Sequence, residues 1–386
     1  MIEQHREPAP ARIWPRALLA VVALLAFVAS LKIMGHGLKT IAAEPASDAF
    51  LKSLFSYVSH PLAGLSAGVL MTAMVQSSSF TTSFAVGLVA TGQIELTHAV
   101  PIVMGANIGT SVTNMVASMA YIRRRLSFRR SLAAATVHDF FNLCAVALFM
   151  PLELAFGVIS RPSQAIAQAI SGTNYFGDDP TKKFNLVKAI VSPINNALDW
   201  LLMSVLGLSP TVAGTVQAVI AVAILFTALI ALVNMLQRLV KGRLTGLFER
   251  TFFRNQGVAL LVGICITVCV QSSSVTTSLL VPVVGAGILK IRQVYPYTLG
   301  ANIGTTVTAM IAALALANSS AVGCAVAHLL FNVMGTAVFW PLQWIPISLA
   351  KGYAKVATRR RIIAILFVVF VFFVLPIASL VLLGVI

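Results

Sequence analysis

The chain has 386 residues, of which 58% are hydrophobic and only 10% are Lys, Arg, Asp or Glu. Soluble domains carry roughly 25% charged residues, so this composition excludes an ordinary water-soluble globule. Gln293 to Ala350 holds no Lys, Arg, Asp or Glu at all, and such a stretch far exceeds the ~20 residues that cross a bilayer. The expected fold class is therefore an all-α polytopic membrane protein, with the lipid bilayer as its first partner. The formal net charge of +16 reads as topology signal. Nucleic acid is not an expected partner, because no basic stripe alternates with aromatics on a soluble face.

In chain order, Arg6, Arg12 and Arg16 precede the apolar run Ala17 to Leu31. The pattern mimics a signal peptide, but no clear small-x-small site follows, and a comparable run recurs at Val212 to Gln237. The run is read as a retained first spanning helix. Gly64-Leu65-Ser66-Ala67-Gly68 fits a lipase-type nucleophile pattern without the strand-turn-helix setting it needs, so an enzyme is not expected. Cys144, Cys265, Cys269 and Cys324 lie inside apolar runs and read as small packing residues rather than a disulfide or metal set.

An internal duplication organises the remainder. Gln76-Ser77-Ser78-Ser79-Phe80-Thr81-Thr82-Ser83 returns as Gln271-Ser272-Ser273-Ser274-Val275-Thr276-Thr277-Ser278, an offset of 195. Gly105-Ala106-Asn107-Ile108-Gly109-Thr110-Ser111-Val112-Thr113 returns at the same offset as Gly300-Ala301-Asn302-Ile303-Gly304-Thr305-Thr306-Val307-Thr308. His138, Asn142 and Pro151 pair with His328, Asn332 and Pro341 at offset 190. Repeat 1 spans 1–159, with a hairpin around 61–92 and helices over 98–121 and 131–153. A connector of mixed polarity covers 160–210, and its 184–208 stretch suits an amphipathic helix bent at Pro193. Repeat 2 spans 211–350, with a helix over 212–237, a hairpin around 257–289 and helices over 296–317 and 321–347. A C-terminal helical segment occupies 351–386.

The segments holding Gln-Ser-Ser-Ser have arms too short to span a bilayer alone, which predicts re-entrant hairpins whose polar tips sit at membrane depth. Placing 1–16, 123–130, 238–254, 290–292 and 351–361 in the cytoplasm puts 20 of the 27 Lys and Arg inside. The N-terminus is then cytoplasmic, hairpin 1 enters from outside and hairpin 2 from inside. Inverted repeats with broken helices meeting near the midplane are transporter architecture.

No carboxylate or Arg adjoins either tip, so its chemistry is mostly neutral. Hydroxyls donate to an oxyanion and coordinate a cation through the same oxygen. Helix N-termini at the Ser runs suit a small tetrahedral oxyanion, and freed carbonyls with Gln and Thr oxygens suit Na⁺. Asn107 and Asn302 are expected to be functional, since a membrane-buried amide needs partners. The glycines flanking them at four-residue spacing predict close helix packing. His138 and His328 admit a proton-relay role, with an interhelical hydrogen bond as the favoured reading.

The paired blocks, together with Thr136-Val137-His138-Asp139-Phe140-Phe141-Asn142, resemble the type II sodium-dependent phosphate cotransporter family over roughly Gly64–Pro151 and Gly257–Pro341. The resemblance implies a bacterial inner-membrane symporter importing inorganic phosphate with Na⁺ by alternating access, with no organic cofactor and a homodimer as a candidate assembly. It implies phosphate contacts from Gln76, Ser77, Ser78, Ser79, Asn107, Gln271, Ser272, Ser273, Ser274 and Asn302. For Na⁺ it implies Gln271, Ser272, Thr305 and Thr308, with Gln76, Thr110 and Thr113 in the first copy. Electrogenic animal members carry an acidic residue within the segment corresponding to Tyr121–Ser131. Here that segment has none, and Arg124 falls about at that place, so electroneutral transport of two Na⁺ per divalent phosphate is expected. Another oxyanion (sulfate or a dicarboxylate), H⁺ in place of Na⁺, or a non-transporting phosphate-signalling scaffold are the alternative readings. A channel is disfavoured, because opposed hairpins create a closed midplane site.

Overall fold

The computed structural model describes residues 13–171, 186–244, 253 and 255–385. All regular structure among them is helical. The first repeat comprises α1 (Ile13–Ala42), α2 (Pro45–Val58), α3 (Pro61–Val75), α4 (Ser78–Ala90), α5 (Leu96–Ile108), α6 (Val112–Met119) and α7 (Arg125–Phe156). A 3₁₀ turn, Gly109–Ser111, joins α5 to α6. The connector holds α8 (Ser160–Ser171) and α9 (Leu186–Asp199), the latter continuing into a π-helical turn, Trp200–Val205. The second repeat holds α10 (Pro210–Leu244), α11 (Gln256–Val270), α12 (Ser273–Ser278), α13 (Leu280–Gly285), α14 (Ile291–Leu316) and α15 (Ser319–Phe339). Then follow α16 (Trp344–Arg359), α17 (Ile362–Val369), a π-helical turn (Phe370–Val374) and α18 (Leu375–Leu382).

Among the described residues, seven helical stretches are long and apolar enough to cross a bilayer: Ala17–Ala42, Leu96–Met119, Arg125–Phe156, Pro210–Met235, Ile291–Leu316, Ser319–Phe339 and Ile362–Leu382. The protein is thus an all-α polytopic membrane protein. The 15-residue helices α3 and α11 reach only about 22 Å at 1.5 Å per residue, short of the ~30 Å hydrocarbon core. Each is followed at once by a helix running back from its end. In the second hairpin the return arm is split at Leu279, since Pro282 has no N–H to give to the Ser278 carbonyl.

Close backbone approach sets the helix pairs, because lipid offers no hydrophobic drive for helix association and small residues permit dispersion contact. A Cβ on Gly109 would lie 2.7 Å from the Val69 carbonyl oxygen, and one on Gly304 would lie 2.8 Å from that of Ile264. The glycine spacing read from sequence therefore packs α3 against α5 and α11 against α14. The repeats' leading helices, α1 and α10, cross in the same way, with a Cβ on Gly37 reaching 2.7 Å from the Gly214 carbonyl oxygen.

The structure differs from the sequence reading at several boundaries. Helix α2 was not foreseen; the chain breaks at Glu44, whose extended backbone precedes Pro45. The helix expected over 321–347 stops at Phe339 and restarts at Trp344, where Pro341 removes the donor that would continue the ladder. The segment 351–386 is not one helix, because Arg360 turns extended between α16 and α17. In the connector, Pro193 sits inside α9, while 184–185 fall outside the described residues. Cys324 is buried as expected, whereas Cys265 and Cys269, four residues apart on α11, are exposed on its outer face. Gly64 to Gly68 lies wholly within helix α3.

Candidate functional site

Both hairpin tips have the same backbone. Helix α3 ends at Gln76 (φ 58°, ψ 29°) and α11 at Gln271 (φ 56°, ψ 26°), both left-handed. The next residues are extended, Ser77 at φ −149° and Ser272 at φ −152°, and open the return helices. A left-handed conformation costs a non-glycine residue about 1–2 kcal/mol. The Gln side chains offset it, because each amide nitrogen donates to a carbonyl of the helix it ends: Gln76 to Ala73, and Gln271 to Val268 at 2.6 Å. These carbonyls lack intrahelical partners at a helix C-terminus. Each Gln oxygen in turn accepts a Thr hydroxyl, Thr113 at 3.0 Å in the first copy and Thr308 at 2.6 Å in the second.

The Ser residues after each Gln cap the return helices. Ser77 Oγ accepts from the Phe80 amide at 3.2 Å, and Ser272 Oγ from the Val275 amide at 3.4 Å. The amides of Ser78 and Ser79, like those of Ser273 and Ser274, head their helices with no carbonyl one turn earlier to receive them. The two copies also bind each other. Ser274 Oγ donates to the Thr110 carbonyl at 3.1 Å, Asn114 Nδ2 to Thr277 Oγ1 at 2.8 Å, and Ser79 Oγ to Thr308 Oγ1 at 3.4 Å.

The tips line one cavity of about 300 Å³, with residues 75–79 on one side and 271–275 on the other. Its third wall is a face of α10 formed by Phe226, Leu229, Ile230, Val233 and Asn234. Among the described residues, no Lys, Arg, Asp, Glu or His lines it. At ~30 Å³ per water, the space takes a small oxyanion with part of its hydration. Hydroxyls and helix-terminal amides are its polar groups, a set able to hold an anion and, through hydroxyl and amide oxygens, a hard monovalent cation.

Of the sequence-derived residues, Gln76, Ser77, Ser78, Ser79, Gln271, Ser272, Ser273 and Ser274 all line the cavity. Thr113 reaches it through Gln76, and Thr308 through Gln271 and Ser79. Thr110 and Thr305 donate to the Ala106 and Ala301 carbonyls of their own helices, both at 3.0 Å.

Asn107 and Asn302 are not among the lining residues. Asn302 is the centre of a buried network: its oxygen accepts from His138 Nε2 at 3.1 Å, and its nitrogen donates to the side-chain oxygens of Asn142 and Asn332, both at 3.0 Å. Asn332 returns a bond to the Asn302 carbonyl at 3.2 Å, and Asn142 donates to the Asn107 carbonyl at 2.8 Å. Asn107 itself donates only to Val103 of its own helix, at 2.9 Å. His138 thus makes the interhelical bond anticipated from sequence. His328 is fully buried, and neither ring nitrogen has a hydrogen-bond partner among the described residues.

Sequence reasoning missed the α10 wall and Asn114. The four apolar wall residues look like any membrane-facing positions, whereas Asn234, a lone amide in an apolar run, is a signal that could have drawn attention to this face.

Comparison with known proteins gives this arrangement a family. A sequence model described as Na⁺/Pi-cotransporter matches residues 26–172 and 224–343, which takes in both tips and the α10 wall. Sodium-dependent phosphate transport protein 2A of sheep (Ovis aries) is 32% identical, over 97% of this chain and 70% of that protein. The 2A protein of rat (Rattus norvegicus) is also 32% identical, over 92% of this chain and 65% of its own length. Human (Homo sapiens) protein 2B is 31% identical, over 94% and 64%. The chain accordingly spans about two-thirds of the length of these relatives. No solved structure matches it significantly. With both Gln-Ser-Ser-Ser tips inside matched ranges that cover more than half of the sequence, the chain belongs to the Na⁺/Pi-cotransporter family.

Proposed function

We propose that the protein is a symporter that imports inorganic phosphate together with Na⁺, alternating access around the cavity between the two Gln-Ser-Ser-Ser tips. The observation that carries this reading is that two identical tips, 195 residues apart, wall one cavity that no charged side chain lines among the described residues. An uncompensated phosphate dianion in such surroundings is costly to desolvate. Sodium bound beside it neutralises it without a fixed protein charge, so each ligand raises the affinity for the other; the loaded and the empty site exchange sides, and a half-loaded site translocates poorly. The Ser hydroxyls and the helix-terminal amides at both tips hold phosphate oxygens. The oxygens of Gln271, Ser272, Thr305 and Thr308 hold Na⁺, with Gln76, Thr110 and Thr113 as the matching set. Asn107 and Asn302 act behind the site, as a joint between helices.

The positive-inside pattern supports a cytoplasmic N-terminus in an inner membrane, with inverted repeats so that one hairpin opens to each side. In the absence of an acidic residue between Tyr121 and Ser131, two Na⁺ balance a divalent phosphate and transport is electroneutral. The test is labelled-phosphate uptake into proteoliposomes under an inward Na⁺ gradient, with K⁺ and a pH gradient as controls and sulfate as competitor. Sodium-dependent uptake that ignores sulfate is expected. Uptake driven by the pH gradient alone would move coupling to a proton, and a phosphate-dependent current on a solid-supported membrane would refute electroneutrality.

A further inference from the structure

A second cavity, of about 460 Å³, lies away from the tips, between the start of α7, the turn joining α13 to α14, and α16. Five cations line it: Arg129 and Arg130 from α7, Lys290 from the turn, Arg292 from the first turn of α14, and Lys351 from α16. No acidic residue does. Among the described residues, no carboxylate pairs with any of these five. Arg130 is held in place by shape: its guanidinium lies against Gly287, whose left-handed backbone (φ 80°) leaves no Cβ in the way. Five like charges around one hollow repel each other unless an anion sits among them.

The floor is apolar. Val284, Leu289 and Ile291 are buried beneath the cations, and Leu126, 58% exposed, stands at the mouth. Helix α16 runs alongside with Trp344 exposed at its start and Lys351, Lys355, Arg359 and Arg360 along and beyond it, the composition of a helix lying at a membrane surface. Cations at the rim over an apolar floor match the order of layers in the headgroup region of a bilayer.

We propose that this cavity binds an acidic phospholipid, with its phosphate among Arg130, Lys290, Arg292 and Lys351 and its glycerol and first acyl carbons over Val284 and Leu289. Basic pockets between membrane helices on the cytoplasmic side suit such headgroups. The orientation proposed above decides only which leaflet supplies the lipid. Free phosphate shares the chemistry, and the experiment separates the two sources.

The test is native mass spectrometry of detergent-purified protein with added phosphatidylglycerol, cardiolipin or phosphatidylcholine. The triple variant R130Q/K290Q/R292Q is compared with K355Q/R359Q/R360Q, which removes the same charge outside the cavity. The expected result is retention of acidic lipid over phosphatidylcholine, reduced roughly tenfold or more in the first variant and less than about twofold in the second. Equal retention in both variants, or equal retention of phosphatidylcholine, would overturn the proposal. Should the triple variant fail to elute as a monodisperse species, L126W fills the mouth without altering charge, and undiminished lipid retention there would overturn it equally. Displacement of bound lipid by millimolar inorganic phosphate or pyrophosphate, lost in the triple variant, would keep the phosphate site and overturn a lipid as its occupant.

Discussion

The two hairpin tips share their sequence and their backbone angles to within a few degrees, yet they occupy different surroundings. Gln271 is 6% exposed and its partner Thr308 is 1% exposed, whereas Gln76 is exposed and Thr113 half-buried. Behind the first tip the helix is interrupted by the 3₁₀ turn at Gly109–Ser111; behind the second, α14 runs unbroken through Gly304. The local block therefore dictates the tip's shape, while the helix packed behind it dictates how far that tip is sealed. Two equivalent tips in unequal settings are what a molecule caught on one side of an exchange between two conformations would display.

The largest effects are expected at the sealed tip. Gln271→Ala removes both the bond to Val268 and the acceptor for Thr308, and Ser272→Ala removes the cap of the return helix. Either should abolish Na⁺-driven phosphate uptake while leaving expression intact. Gln271→Gly separates structure from function, because glycine takes the left-handed angle freely. It should express and elute like the parent but fail to transport. Normal uptake by this variant would reduce the motif to a structural turn.

Next in size is a contrast between two asparagines that are indistinguishable in sequence. Asn302→Ala removes the acceptor of His138 Nε2 and the donor to the Asn142 and Asn332 side-chain oxygens in a buried setting, at about 1–3 kcal/mol for each group left unsatisfied. Asn107→Ala loses one bond to its own helix, worth about 1 kcal/mol. Thermal denaturation in detergent should give a much lower Tm for the first. Equal shifts would mean that the network is not centred on one copy.

This pair also shows where legibility ended. The tips could be read from sequence because duplication at a fixed offset reverses the usual odds against an isolated Ser run, and the short arms leave no other path through a bilayer. The glycine spacing told of close packing for a similarly local reason. Which asparagine becomes the hub depends on where His138 of α7 arrives, a tertiary fact with no local signature. The wall of Phe226, Leu229, Ile230 and Val233 was hidden for the opposite reason: apolar residues facing a cavity and apolar residues facing lipid are chemically alike. The breaks at Glu44–Pro45 and at Pro341 were written in proline, yet helices that span membranes often tolerate it, so the residue alone does not fix a boundary.

A smaller, kinetic contrast should appear in accessibility. In a Cys265→Ala, Cys269→Ala background, itself expected to be nearly silent because both thiols lie on the outer face, a cysteine at the exposed Gln76 should react with a membrane-impermeant maleimide several-fold faster than one at the buried Gln271. Addition of Na⁺ and phosphate should change the ratio. A ratio of one under all conditions would remove the asymmetry as a feature of the molecule in the membrane.

The smallest effect is the sharpest comparison of the repeats. Thr72, behind the first tip, donates to Thr81 Oγ1 at 2.8 Å, whereas its counterpart Thr267 has a buried hydroxyl with no partner among the described residues. Both pack against the glycine of their neighbouring helix, Gly109 and Gly304, so neither site has room for a larger side chain. Valine matches threonine in shape and removes only the hydroxyl. Thr72→Val should cost about 1 kcal/mol, since it removes the donor to Thr81 Oγ1 and leaves that hydroxyl only its 3.4 Å bond to the Ser77 carbonyl, while Thr267→Val should be neutral or slightly stabilising because it relieves a buried unsatisfied oxygen. Paired Tm measurements decide the sign. If Thr267→Val instead weakens the Na⁺ dependence of uptake with Tm unchanged, the unpartnered hydroxyl belongs to the ion's coordination shell, and the second tip is sealed around its cargo rather than around nothing.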